Sequence, residues 1–173
     1  TPGTDLIKVP SEQYSGPGWS WAPYLGSVRV TGAGATLDGL DIDGAVVIDA
    51  PDATVSNSRI SACGGWSDSD VIAIRYRPSN GYNGANATIL NNEILGTPEG
   101  CDHRARSGVR DVYGAAPNVV VKGNDISGSG NGITIEHEGI IEDNWVHDLG
   151  HLPGDHHSGI SNHEIGRASC RER

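Results

Sequence analysis

The chain has 173 residues, with 12 Lys and Arg against 22 Asp and Glu, a formal charge of −10, 25 glycines and neither Phe nor Met. An acidic balance of this size argues against nucleic acid and anionic membranes as partners, and no apolar run approaches the length of a membrane-spanning helix. The chain opens at Thr1 without a charged-then-apolar leader.

Residues 1–27 form a lead-in that carries four of the nine aromatics, in "YSGPGWSWAPY" at 14–24. Trp19 and Trp21 can stack on sugars or close an exposed core, and their position ahead of the first regular segment favours a cap. From there the chain repeats itself. "TLDGLDID" at 36, "TVSNSRIS" at 54, "TILNNEIL" at 88, "VVKGNDIS" at 120 and "IIEDNWVH" at 140 are each a strand, a polar corner and another strand. Alternating β-branched residues without a helical stripe predict an all-β chain, and the many glycines suit frequent corners. One strand–corner–strand unit repeated with insertions of varying length predicts a β-solenoid, in which each coil buries its apolar face on its neighbours.

A further strand precedes each unit: "VVID" at 46, "VIAIRY" at 71, "GVRDV" at 108, "GITIE" at 132 and "GISN" at 159. With three strands per coil, residues 28–163 resemble the right-handed parallel β-helix proteins of the pectin-lyase-like superfamily, above all secreted bacterial β-helix repeat proteins. The resemblance implies a right-handed single-stranded parallel β-helix of about five to six coils. Ser58, Asn92, Asn124 and Asn144 fall on the corner where that family stacks asparagines, and stacked amides can satisfy one another and the corner backbone. The resemblance also implies a polysaccharide groove on the outward face of the first strand of each coil, a secreted or cell-surface location and a monomer.

Period-two alternation turns Ile72, Ile74, Val109, Ile133, Ile135 and Ile160 inward. It turns Ala73, Arg110, Thr134 and Ser161 outward in one row, Arg75, Val112, Glu136 and His163 in a second, and Ser69, Arg106, Gly130 and His157 in a third. Arg75, Arg77, Arg104, Arg106 and Arg110 gather on this side, and guanidinium groups hold carboxylates or sulfates bidentately. The alternative is internal pairing with Asp68, Asp70, Asp102 and Asp111. A uronate lyase must neutralise the sugar carboxylate and remove the adjacent C–H proton. Arg110 and Arg106 suit the first task, and His157 or His163 the second, with Glu136 and Asp155 as the acidic candidates. A glycoside hydrolase needs two carboxylates about 5 to 9.5 Å apart, and only Glu136 faces outward, with Asp148 and Asp155 in the neighbouring loop. Arg75, Arg106 and Trp66 are the candidate substrate-binding residues, whereas Trp145, flanked by Asn144 and Val146, reads as packing. A non-catalytic carbohydrate-binding or adhesive β-helix is the alternative to an enzyme.

Five of the seven histidines lie in "HDLGHLPGDHHSGISNHE" at 147–164. No HExxH or other ligand spacing accompanies them, and a zinc site would draw three or four ligands from separate loops, so a metal is not assigned. The loop aspartates leave Ca²⁺ open as a cofactor, without an EF-hand spacing to support it. Relatives often carry H-x-D-G-I-Q where this chain has "HHSGIS" at 156–161; His156, Gly159 and Ile160 match, while Ser158 stands in place of the Asp and Ser161 in place of the Gln. Cys63 and Cys101 form an even pair once Cys170 is set aside, which permits either a disulfide or two buried thiols. Residues 164–173 are set apart because "IGRASCRER" reads as the translation of a sequencing-library adapter, ATC GGA AGA GCG TCG TGT AGG GAA AGA.

Overall fold

The computed structural model describes residues 2–63, 70–114, 116–137, 139–150, 158–162 and 168–169. The described chain is all-β, a parallel β-solenoid of about six coils whose strands cycle through three stacked sheets. The front sheet contains Ser27–Val30, Ala45–Ile48, Ile72–Arg77, Ser107–Val112, Asn131–Ile135 and Ile160–Asn162, paired in parallel. The side sheet contains Thr36–Asp38, Thr54–Ser56, Thr88–Leu90, Val119–Lys122, Gly139–Glu142 and Ala168–Ser169, the last of these inside the segment set apart above. The rear sheet contains Leu40–Asp43, Arg59–Ser61, Glu93–Leu95, Asp125–Ser127 and Trp145–His147.

Like residues stack on like inside the coil. Leu37, Val55, Ile89, Val121 and Ile141 line the side sheet, and Ile42, Ile60, Ile94 and Ile126 the rear, all buried. On the front sheet the inward columns are Val28, Val46, Ile72, Val109 and Ile133, then Val30, Ile48, Ile74 and Ile135, also buried. Asp111 interrupts the second column, opposite Ile74, and is buried as deeply as its apolar neighbours. A buried carboxylate must be hydrogen-bonded; Asp111 accepts the Glu136 N–H at 2.9 Å and a backbone hydrogen bond from Ala116. Burial nevertheless dominates and, with the neighbouring Glu136 charge, pushes its pKa up to about 6.

Among the described residues the side-to-rear corner turns on one residue with left-handed φ in each of five coils: Gly39, Asn57, Asn91, Gly123 and Asp143. Asn and Asp tolerate that conformation better than other non-glycine residues. The next residue points inward and builds the amide ladder. Asn92 Oδ1 accepts the Ser58 N–H, Asn124 Oδ1 the Asn92 N–H and Asn144 Oδ1 the Asn124 N–H, at 2.9 to 3.0 Å. The amide Nδ2 groups of Asn92, Asn124 and Asn144 donate to the Val55, Ile89 and Val121 carbonyls. Each asparagine thus satisfies a backbone N–H and a carbonyl of the preceding coil.

Ahead of the first coil, Trp19–Ala22 pairs antiparallel with Ser27–Val30, and Ile7–Val9 adds to the edge of the rear sheet. Trp19 is buried in the core and Trp21 packs against it, while Tyr14 and Tyr24 stay exposed.

Candidate functional site

The outward face of the front sheet is assembled by strand register. Its first row runs Arg29, Val47, Ala73, Arg110, Thr134 and Ser161. Arg110 therefore stands between two small residues. It is half-buried, and no hydrogen bond or ion pair to another described residue holds its guanidinium. The second row places Asp49 beside Arg75, then Val112, then Glu136, which follows Ile135 and is exposed. Arg110 and Glu136 lie on adjacent coils two residues out of step, about 8 Å apart from strand spacing and rise.

Asp49 organises the N-terminal half of this face. Its carboxylate, almost fully buried, receives Arg29 Nη2 on one side. On the other it receives Arg75 Nε at 2.5 Å and Arg75 Nη2 at 2.6 Å. These hydrogen bonds hold Arg75 more firmly protonated than a free arginine. Arg75 Cζ also sits 3.9 Å over the Tyr82 ring, and Tyr82 stacks on Tyr113 with centroids 6.1 Å apart and planes at 23°. Arg75 is thus occupied within the fold, by Asp49 from the preceding coil.

The loops that enter the front sheet flank the face. A disulfide, Cys63–Cys101, joins two of them with its Cα atoms 5.5 Å apart, the first of the two options left open for that pair. Arg104 lies across the next turns: a Cβ added at Gly150 would meet its Cδ at 2.6 Å, and one at Gly130 its Nε at 3.4 Å. Gly130, expected to face outward, is instead buried under that side chain. Arg106 is exposed, and its carbonyl accepts the Asn131 N–H at 2.7 Å. Trp66, Asp155, His157 and His163 lie outside the described residues, as does Asp68.

A second cluster occupies the outward face of the rear sheet. His147 Nε2 meets Asp125 Oδ1 at 2.8 Å and Nδ1 meets Asp148 Oδ2 at 2.7 Å, while Trp145 stacks on the imidazole at 3.8 Å. Burial works against the imidazolium charge, yet the hydrogen bonds the ring donates to Asp148 and Asp125 outweigh it and raise the His147 pKa. Trp145 is not packing: it is 54% exposed, because Asn144 and Val146 turn inward and alternation sends the residue between them out. Asp148, a loop candidate for the front face, belongs to this rear cluster. Among the described residues no group of three or more His, Cys, Asp or Glu is placed to hold a metal ion.

Asp49, Tyr82 and Tyr113 escaped the sequence reading, and Asp111 entered it only as a pairing partner for the arginines. Asp49 and Asp111 had a signal, since extending the outward row one coil back reaches the first and strict alternation turns the second inward. The tyrosines had none, because Tyr82 lies in an insertion that folds back antiparallel on Tyr76–Arg77. No family model, curated protein or solved structure matches this chain.

Proposed function

We propose that the chain is an exported, carbohydrate-active β-helix of the pectin-lyase-like kind, which holds an acidic polysaccharide on its front face and cleaves it by lyase-type elimination. The observation that carries this reading is Arg110, a guanidinium set between Ala73 and Thr134 on a sheet face, with no hydrogen bond or ion pair to another described residue and only a weak attraction to the buried Asp111 beside it. There it can hold a uronate carboxylate bidentately and stabilise the charge that develops when the neighbouring C–H proton is lost. Glu136 stands diagonally across the next coil, close enough to flank the same sugar, and is the described candidate for the base; His157 and His163 are the others. As the base takes the proton, the electron pair forms a carbon–carbon double bond and the glycosidic oxygen leaves. The Cys63–Cys101 bond supports export, since disulfides persist in oxidising compartments.

Hydrolysis is less well served, because Asp49 and Glu136 are three strands apart, about 14 Å, beyond the 5 to 9.5 Å that paired carboxylates use. Binding without cleavage is the second reading. It is favoured by Ser158, which replaces the family's Asp and donates its N–H to Asn131 Oδ1. The test is absorbance from unsaturated uronate ends on pectate, alginate and glycosaminoglycans, with and without Ca²⁺. Wild-type protein is expected to generate it on at least one polymer and Arg110→Ala to lose at least tenfold in rate. Binding by wild type without any absorbance would establish the second reading, and neither binding nor absorbance would sink both.

A further inference from the structure

Eight described non-glycine residues have left-handed φ, and seven are Asn or Asp: Asp52, Asn57, Asn86, Asn91, Asn118, Asp143 and Asp148. The eighth is Tyr113, at φ 71°. Short polar side chains adopt this conformation with local hydrogen bonds, whereas a bulky one is an outlier that its surroundings must enforce. Burial does not explain it, since Tyr113 is 59% exposed. Glycine or asparagine would turn the chain here at lower cost, so the ring itself needs a reason.

What the strained backbone achieves is a ring in a fixed place. One face of Tyr113 lies on Tyr82, Tyr82 lies under Arg75, and Arg75 is clamped by Asp49, which Arg29 holds from the far side. Behind the turn, Gly114 approaches Tyr76 so closely that an added Cβ would sit 2.9 Å from its carbonyl oxygen. A side chain ordered in advance binds without the entropy of ordering it. One Asp49 carboxylate is shared by Arg29 and Arg75, so the cluster keeps a net positive charge, set behind Tyr82 and away from the exposed Tyr113 ring.

We infer that Tyr113 is a sugar-stacking residue of the front face, whose solvent-facing side receives the apolar C–H face of a pyranose in the same chain that Arg110 holds by its carboxylate. The inference rests on the acidic-polysaccharide reading and adds a second subsite to it. Tyr113 follows Arg110 by three residues on one strand and its end, about 10 Å, so the two contact different sugars. They also bind by different physics. Pairing of Arg110 with a carboxylate is screened by salt, whereas stacking on Tyr113 is nearly indifferent to it.

The experiment measures dissociation constants for pectate, alginate and chondroitin sulfate at low and high salt, with melting temperatures, for wild type, Tyr113→Gly, Tyr113→Phe and Arg110→Ala. Tyr113→Gly is expected to melt at or above the wild-type temperature, to bind about fivefold or more weakly, and to keep the wild-type salt dependence. Tyr113→Phe should match wild type, and Arg110→Ala should bind weakly with its salt dependence reduced. Wild-type affinity in Tyr113→Gly beside a weakened Arg110→Ala overturns this inference and leaves the polysaccharide reading standing. Weakened binding with a lowered melting temperature overturns it too, assigning Tyr113 to packing. No binding by wild type to any of the three polymers removes both.

Discussion

The amide corner and the front face are both polar rows that climb the solenoid one coil at a time, yet they follow opposite rules. On the corner, Ser58, Asn92, Asn124 and Asn144 keep nearly one chemistry, and every amide is spent on the coil beside it. On the face, Arg29, Val47, Ala73, Arg110, Thr134 and Ser161 change at each step. A buried stack must satisfy itself, so it repeats; an exposed row is satisfied by water and is free to vary. Variation is therefore where function can be written. Asp49 shows the intermediate case, an outward position recruited into structure by two arginines.

The largest effect should come from breaking the ladder. Asn124→Ala removes the acceptor of the Asn92 N–H and donors to Ile89 and Lys122, and leaving such buried groups unpaired should cost about 3 kcal/mol in urea unfolding. Asp111 comes next, with an effect that depends on pH. Its folded pKa of about 6 lies above the ordinary carboxylate value, so its unfolded state releases the proton first. Stability is then full below pH about 4 and falls as pH rises through about 6, by up to about 3 kcal/mol. Asp111→Asn should lose this component, and the difference between the two pH–stability curves measures it; parallel curves would refute the assignment.

Asp49→Asn should cost about 2 kcal/mol by stranding two guanidinium groups, and should strengthen binding of acidic polymers by releasing them onto the face. His147 has the same sign as Asp111: its raised pKa contributes stability that is complete below the unfolded imidazole value and fades as pH rises through the folded one. On this half-exposed surface the difference from His147→Gln should stay below about 1 kcal/mol, visible in melting curves across neutral pH. Smallest of all is the stability change in Arg110→Ala, expected within about 0.5 kcal/mol. A larger loss would mean that Arg110 belongs with the corner, holding the coils together.

Much of this contrast was legible beforehand, for a definite reason. In a solenoid, residues that repeat in sequence are neighbours in space, so aligning "TVSNSRIS", "TILNNEIL" and "VVKGNDIS" already superposes their coils. That alignment located the ladder and the Ala73–Arg110–Thr134–Ser161 row. It failed where the chain leaves the repeat. The insertion carrying Tyr82 has no counterpart in neighbouring coils, and its contact with Arg75 depends on how it folds back. Trp145 and Asp111 were misjudged differently: residue type suggested packing for one and pairing with the front-face arginines for the other, and alternation placed the first outward and the second inward.

The sequence by itself determined the solenoid, its coil order, the amide corner and the sidedness of most positions, because period-two alternation and coil-to-coil stacking are local rules that any stretch of the repeat obeys. Only the tertiary structure decided which charges were already spent, that Cys63 meets Cys101 and that Tyr113 stands on Tyr82 over Arg75 and Asp49. Those outcomes depend on side chains reaching between coils and loops whose separation along the chain follows no period, and their geometry exists only once the coils are stacked.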